Sequence, residues 1–127
     1  LELPIVTAKK LIATGNFTWI DELYFGQIPA EADTTGTKTL VLVTSVTEPF
    51  GKYNNDSPSV LDATVQVQIF FAKDTQMNVL DAQLQLVNLF IQADWQLSNR
   101  EPNVLDPDTN QVTALFYASK NFTLTLN

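Results

Sequence analysis

Along Leu61 to Phe71, LDATVQVQIFF, apolar and polar positions alternate without a fault until Phe70. Leu61, Ala63, Val65, Val67, Ile69 and Phe71 share one parity, and Asp62, Thr64, Gln66 and Gln68 share the other. Side chains on a strand alternate between faces, so this period predicts a strand with one face on a core and the other turned to water or to a partner. The period then changes. From about Thr75 to Ala93, Leu80, Leu84, Val87 and Ile91 follow spacings of four, three and four, with Met77, Leu89 and Phe90 widening the stripe and Asp81, Gln85, Asn88 and Gln92 opposite. That predicts an amphipathic helix, capped by Asp74 or Thr75, whose stripe packs across the sheet as core rather than as a cofactor site.

The other elements follow from weaker patterns. Leu3 to Thr14 reads as a short helix: Pro4 suits its first turn, Ile5, Ala8, Leu11 and Ile12 fall on one side, and Gly15 can end it. Lys9 and Lys10 would favour the dipole near its end. Trp19 to Ile28, rich in aromatic and β-branched residues, predicts a strand of mixed alternation closed by Pro29, and Ala30 to Lys38 a loop. Thr39 to Thr47, TLVLVTSVT, is nearly continuous in apolar and Thr residues, as expected of a central strand covered on both faces. Glu48 to Ser59, EPFGKYNNDSPS, gathers so many turn formers that it reads as a long hairpin loop, with Phe50 and Tyr53 conspicuous on it. Trp95 to Leu105 and Gln111 to Leu126 form a closing pair of strands around a DPDTN turn, the second long enough to cross the domain, with its apolar parity broken only by Lys120. The expected class is therefore α+β: one domain over residues 1–127, a mainly antiparallel sheet of about five strands with two helices packed on it, in the order α-β-β-β-α-β-β.

Composition narrows the function classes. With 7 basic against 14 acidic residues and a net charge of −7, only Lys9 and Lys10 are adjacent cations, too few to bind a phosphate backbone without regard to sequence. No run approaches 18 apolar residues, so no membrane span is expected, and the start LELPIVTAKK does not resemble a signal peptide. The absence of Cys excludes disulfides and thiol chemistry and suits synthesis in a cytoplasm. Asn16, Asn55 and Asn121 each begin an Asn-x-Ser/Thr triplet, read as chance in a chain without a secretory signal.

Candidate chemistry is sparse. With His and Cys both at zero, the commonest general base, the commonest metal ligand and the thiolate nucleophile are missing together. Gly15, Gly26, Gly36 and Gly51 are too scattered to cradle a phosphate. Asp106, Asp108 and Asn110 recur at loop positions one, three and five as in a Ca²⁺ hand, but Gln111 stands where the tight turn needs Gly and Tyr117 where the bidentate Glu belongs, so a plain turn is expected. Asp21 and Glu22 are adjacent, and on a strand would point to opposite faces. No enzyme, no cofactor and no metal are expected.

Taken in order, LPIVTAKKLIA, WIDELYFGQIP, LVTSVTEPFGKYNND, LDATVQVQIFF and LDPDTNQVTALFYASK resemble a family of small tail-component proteins from siphophages of Gram-positive hosts. The likeness runs over nearly the whole chain and contains no catalytic motif; it rests on the order of the segments. It implies a tail terminator of the virion, made in the host cytoplasm: a ring, usually hexameric, that caps the tail tube and offers its other face to head-closure proteins, while DNA passes through without specific binding. The partners implied are further copies of the chain, the major tail-tube protein and a head-closure or neck protein. The competing readings are a head-closure or tube-joining neck protein and a monomeric phage-encoded adaptor. A closed ring needs two different patches per subunit. The residues themselves suggest three places for them: the loop, with Phe50, Lys52, Tyr53, Asn54 and Asn55; the polar row Asp62, Thr64, Gln66 and Gln68; and the edge of the over-long last strand.

Overall fold

The computed structural model describes residues 1–32, 35–54, 57–105 and 111–125, and places two helices on one face of a mainly antiparallel sheet. In chain order these are α1 (Pro4–Thr14), β1 (Glu22–Phe25), β2 (Leu40–Thr47), β3 (Phe50–Asn54), β4 (Ser57–Phe70), α2 (Val79–Gln92), β5 (Gln96–Arg100), β6 (Val104–Leu105) and β7 (Val112–Thr123). The sheet order is β1-β2-β4-β7-β5, with β3 added to β4 and β6 to β7, and β1 runs parallel to β2. The α+β class and the helix–strand order are as expected. Among the described residues the strands number seven rather than about five, because one expected loop is a strand and one expected strand is broken in two.

β4 sits in the middle. Ala63, Val65, Val67 and Ile69, with Phe71 just beyond, are fully buried under the helices, as their parity predicts. On one side β4 pairs with β7 from Val60↔Thr123 to Phe70↔Thr113, and on the other with β2 from Leu40↔Phe70 to Thr47↔Thr64. β2 is an interior strand, flanked by β1 and β4 as expected, but only its first half is covered; Val46 and its neighbours lie in solvent, so it is not buried on both faces along its length.

The segment expected to be a long loop is largely strand. β3 pairs with the start of β4, Phe50↔Leu61 to Asn54↔Ser57, so that β2 and β3 together form one interrupted partner for a strand of 14 residues. Pro49 lies in the interruption and its carbonyl accepts the Asp62 N–H at 2.8 Å; Pro58 lies near the beginning of β4. Proline is tolerated at such places because it removes no interior ladder bond. Pairing with a distant segment thus overrides a local composition that favours turns.

Trp19 to Ile28 yields only the four residues of β1. The aromatic residues before it serve as a plug: Trp19 stacks on Phe71 at 6.0 Å between centroids, lies 5.6 Å from Phe17, and donates its indole N–H to Gln85 at 3.0 Å. α1 buries Ala8 and Ile12 as expected. Gly15 follows it at φ −75°, an ordinary helical value, and the left-handed residue is Asn16 at φ 49°. Gly15 is needed for space instead, since a Cβ there would sit 2.4 Å from the Phe17 ring. Lys9 and Lys10 lie ahead of the last turn, Lys10 paired with Glu2 and Lys9 5.1 Å from the Phe25 ring centroid.

The largest correction concerns α2. It starts at Val79, capped by Asn78 through bonds from the Leu80 and Asp81 N–H groups at 3.0 and 3.1 Å, rather than by Asp74 or Thr75. It buries Ala82, Gln83, Leu86 and Phe90, while Leu80, Leu84 and Ile91 of the expected core stripe stand 46%, 53% and 53% exposed. The helix carries two apolar stripes, and the true inner one contains a glutamine whose amide donates to Asn103 at 2.7 Å. Lys120, which breaks the parity of β7, reaches the end of the same helix and donates to the Ala93 carbonyl at 2.9 Å, a favourable place for a cation. The strand expected from Trp95 to Leu105 is split into β5 and β6, both paired with β7, while buried Trp95 sits edge-on to Phe90 and Phe122 at 5.3 and 5.9 Å.

The two faces of α2 separate in stability. Leu86→Ala is expected to cost about 2–5 kcal/mol by opening a cavity, whereas Leu84→Ala costs less than about 0.5 kcal/mol. Urea denaturation of the two variants measures both; equal losses would reverse the assignment of faces.

Candidate assembly interface

The row Asp62, Thr64, Gln66 and Gln68 lies on the sheet face opposite the helices, because it alternates with residues that face the core. Register extends it sideways. Thr64 lies between Thr47 and Ser119, Gln66 between Thr44 and Tyr117, and Gln68 between Leu42 and Leu115, while Asp62 faces Asn121. These four residues are half-buried. The hydroxyls of Thr64 and Ser119 bond at 2.7 Å. The surface thus offers mainly hydroxyls and amides, groups that hydrogen-bond in either sense and carry little charge.

Phe50, Lys52 and Tyr53 sit on β3, which lengthens the sheet beyond β2. Phe50 lies opposite Leu61 and so on the helix side; Tyr53 lies opposite Pro58, whose parity is that of Asp62, and so on the polar side. They are 57% and 62% exposed. Lys52, also exposed, takes φ 47°, and its carbonyl accepts the Ser59 hydroxyl. The arm and the row meet at Gly51, where an added Cβ would fall 2.7 Å from the Asp62 carboxylate. The Asn54 backbone pairs with Ser57 at the end of β3, and Asn55 lies outside the described residues. The third suggested place is narrowed: β4 flanks β7 on one side along its length, and β5 and β6 pair with it on the other as far as Ser119, so an edge for a neighbour is confined to the end of β7 after that residue. The outer stripe of α2, Leu80, Leu84 and Ile91, which helical periodicity alone places in the core, is a further exposed surface.

Other chemistry is thin. Among the described residues no group of three or more acidic side chains could hold a metal ion; Asp106, Asp108 and Asn110 lie outside them. A hollow of about 280 Å³ is lined by Asp94, Gln96, Ser119, Lys120 and Asn121, and another of about 180 Å³ lies beside α1 and β1. They lie at or below the lower end of the roughly 300–1,000 Å³ range of small-molecule sites. Glu2 titrates below the ordinary carboxylate range because Lys10 and Thr7 donate hydrogen bonds to it. The Tyr24 phenol is raised, chiefly because it donates to the Glu22 carboxylate and would lose that bond on ionising. No helix among the described residues is long and apolar enough to cross a membrane.

The chain belongs to the family described as Protein of unknown function (DUF806), whose model matches residues 3–123, from the start of α1 to the end of β7. No curated protein matches it. Among solved structures it is similar to the sheath/tube terminator of an extracellular contractile injection system, PVC, in its extended state, determined by cryo-EM. The TM-score is 0.48 at 11% identity, and the match covers 98% of this chain and 58% of that one. The chain therefore spans less than two thirds of that protein's length. Neither the family's description nor a likeness of this depth assigns a role.

The polar row should separate from the fold. Gln66→Arg is expected to change stability by less than about 0.5 kcal/mol. Thr64→Val, which strips the bond to Ser119, costs about 1 kcal/mol. Chemical denaturation of both measures the difference; a loss of several kcal/mol at Gln66 would mean that the row is packed rather than presented.

Proposed function

We propose that this chain is a siphophage tail terminator: a structural virion protein whose copies close into a ring, usually of six, that caps the tail tube and joins it to the head-closure proteins. It performs no reaction; its mechanism is surface complementarity. The observation that carries this reading is that, among the large apolar side chains left in solvent, Phe50 and Tyr53 gather on β3 and Leu80, Leu84 and Ile91 on α2, two separate elements beside a core already closed by other residues. Exposed apolar groups gathered on single elements mark contact surfaces, and two unlike patches on one subunit are what a ring requires. The segment order that resembles Gram-positive siphophage tail components points the same way, and so does a net charge of −7, which lets DNA pass without adhering.

Native mass spectrometry of the concentrated protein, alone and with tail-tube protein, is expected to give a closed ring. Deletion of the gene is expected to leave over-long tubes. A strict monomer under both conditions would overturn the ring, and detached tails of normal length would move the protein to the head-side neighbour in the neck.

A further inference from the structure

Helix α2 is amphipathic twice over. Its inner stripe is consumed by the sheet, and its outer stripe, Leu80, Leu84 and Ile91, repeats at four and seven residues along one side, which is the spacing of a helix that receives a partner. This stripe also has a chemical character at its start: Asp81 is exposed beside Leu80, and VLDAQLQLVNLFIQ contains no Lys or Arg.

We infer that the outer stripe of α2 is the seat for the β3 arm of a second copy of this chain, with Phe50 against Leu80 and Leu84 and Lys52 beside Asp81. The argument for this occupant is complementarity within the sequence itself. The arm, FGKYN, carries an exposed aromatic residue on the helix side of its sheet, an exposed cation and no acid. The stripe carries exposed aliphatic residues, an exposed acid and no base. In a chain with only 7 basic residues against 14 acidic ones, the arm joins the cation Lys52 to the exposed aromatic Phe50, and this pair matches the acid and the aliphatic residues of the stripe. The two patches lie on different elements, so the contact can run head-to-tail and be repeated around a ring, unlike a stripe-on-stripe pairing, which stops at two.

Area sets the strength. Phe50 and the three aliphatic residues are each about half exposed, so together they hide roughly 400 Å², against about 1,600 Å² for a standard interface. The contact is the apolar nucleus of a larger one and forms at high protein concentration or on a tube end. This inference rests on the ring reading, and one experiment separates the failure of each.

The chain has no Cys, so single cysteines report contacts cleanly. Phe50→Cys and Leu84→Cys proteins, mixed in equal amounts at a concentration where the ring forms and treated with a short thiol cross-linker, are expected to give a mixed dimer at least about tenfold over either self-dimer. Leu84→Cys joined to itself would overturn the arm as occupant and leave stripe-on-stripe pairing. No cross-link of any kind while native mass spectrometry still shows the ring would overturn this inference and leave the ring reading standing; absence of any assembly with tube protein present would overturn both. Charge exchange provides the second arm. Lys52→Glu and Asp81→Lys are each expected to raise the concentration for half-assembly by about threefold to tenfold, and the double variant to restore it. Independent, additive losses would overturn the pairing of these two charges.

Discussion

The antiparallel ladder between β4 and β7 is the constraint on which the rest depends. It runs without interruption from Val60↔Thr123 to Phe70↔Thr113, the longest pairing in the sheet. On one face it lays Ala63, Val65, Val67 and Ile69 beside Ala114, Phe116 and Ala118, all buried. Each large side chain among them is worth about 1.5–3 kcal/mol when removed from water. The mixture of alanines with Phe116 and the valines leaves a contoured floor. Phe90 of α2 meets Phe116 edge-on at 5.7 Å and Trp95 at 5.3 Å, so the helix is fixed by aromatic geometry as well as by area.

The length of that ladder explains the outer elements. β4 has 14 residues, and β2 can pair only with those from Thr64 to Phe70. The remainder would be left as a bare row of N–H and C=O groups on that side, and β3 satisfies it. The other flank is solved the same way, with β5 and β6 as two short pieces along β7. The arm that carries Phe50 and Lys52 is therefore a consequence of the central pairing and not an ornament added to a finished domain.

Where one face alone is buried, the sequence spoke clearly. The parity of β4, the side of α1 marked by Ala8 and Ile12, and most of the parity of β7 could be read because each has a single apolar side and a regular period. Three features could not be read, for three physical reasons. α2 has two apolar stripes, and the one that wins contains Gln83, whose cost of burial is removed by Asn103, a partner 20 residues away. The segment from Glu48 to Ser59 looks like a loop because Pro, Gly and Asn govern local propensity, whereas its structure is set by a ladder. Trp19 looks like a strand residue because it is aromatic, but it closes the core against Phe71. The candidate surface inherits this pattern: the polar row was legible as the other parity of a clean strand, the arm was legible by residue but not by shape, and the outer face of α2 was hidden by the assumption that a stripe must point inward.

The same physics separates holding the fold from meeting a partner. Residues that stabilise the chain lie between the ladder and the inner sides of the helices; Phe50 and Tyr53 of the arm and Leu80, Leu84 and Ile91 on the far side of α2 stand outside that core. Substitutions at such separated places act nearly additively, so contact surfaces can change while stability does not. In a proposed ring this separation has a mechanical sense. A closing head-to-tail contact tolerates little error in the angle between its two patches, since a small rotation per subunit turns a ring into an open helix. That angle is held here by the close packing of α2 on the sheet and by the backbone pairing that joins β3 to β4. The ladder that completes the core is thus also the rigid bar between the two surfaces, and its stiffness limits what the surfaces can build.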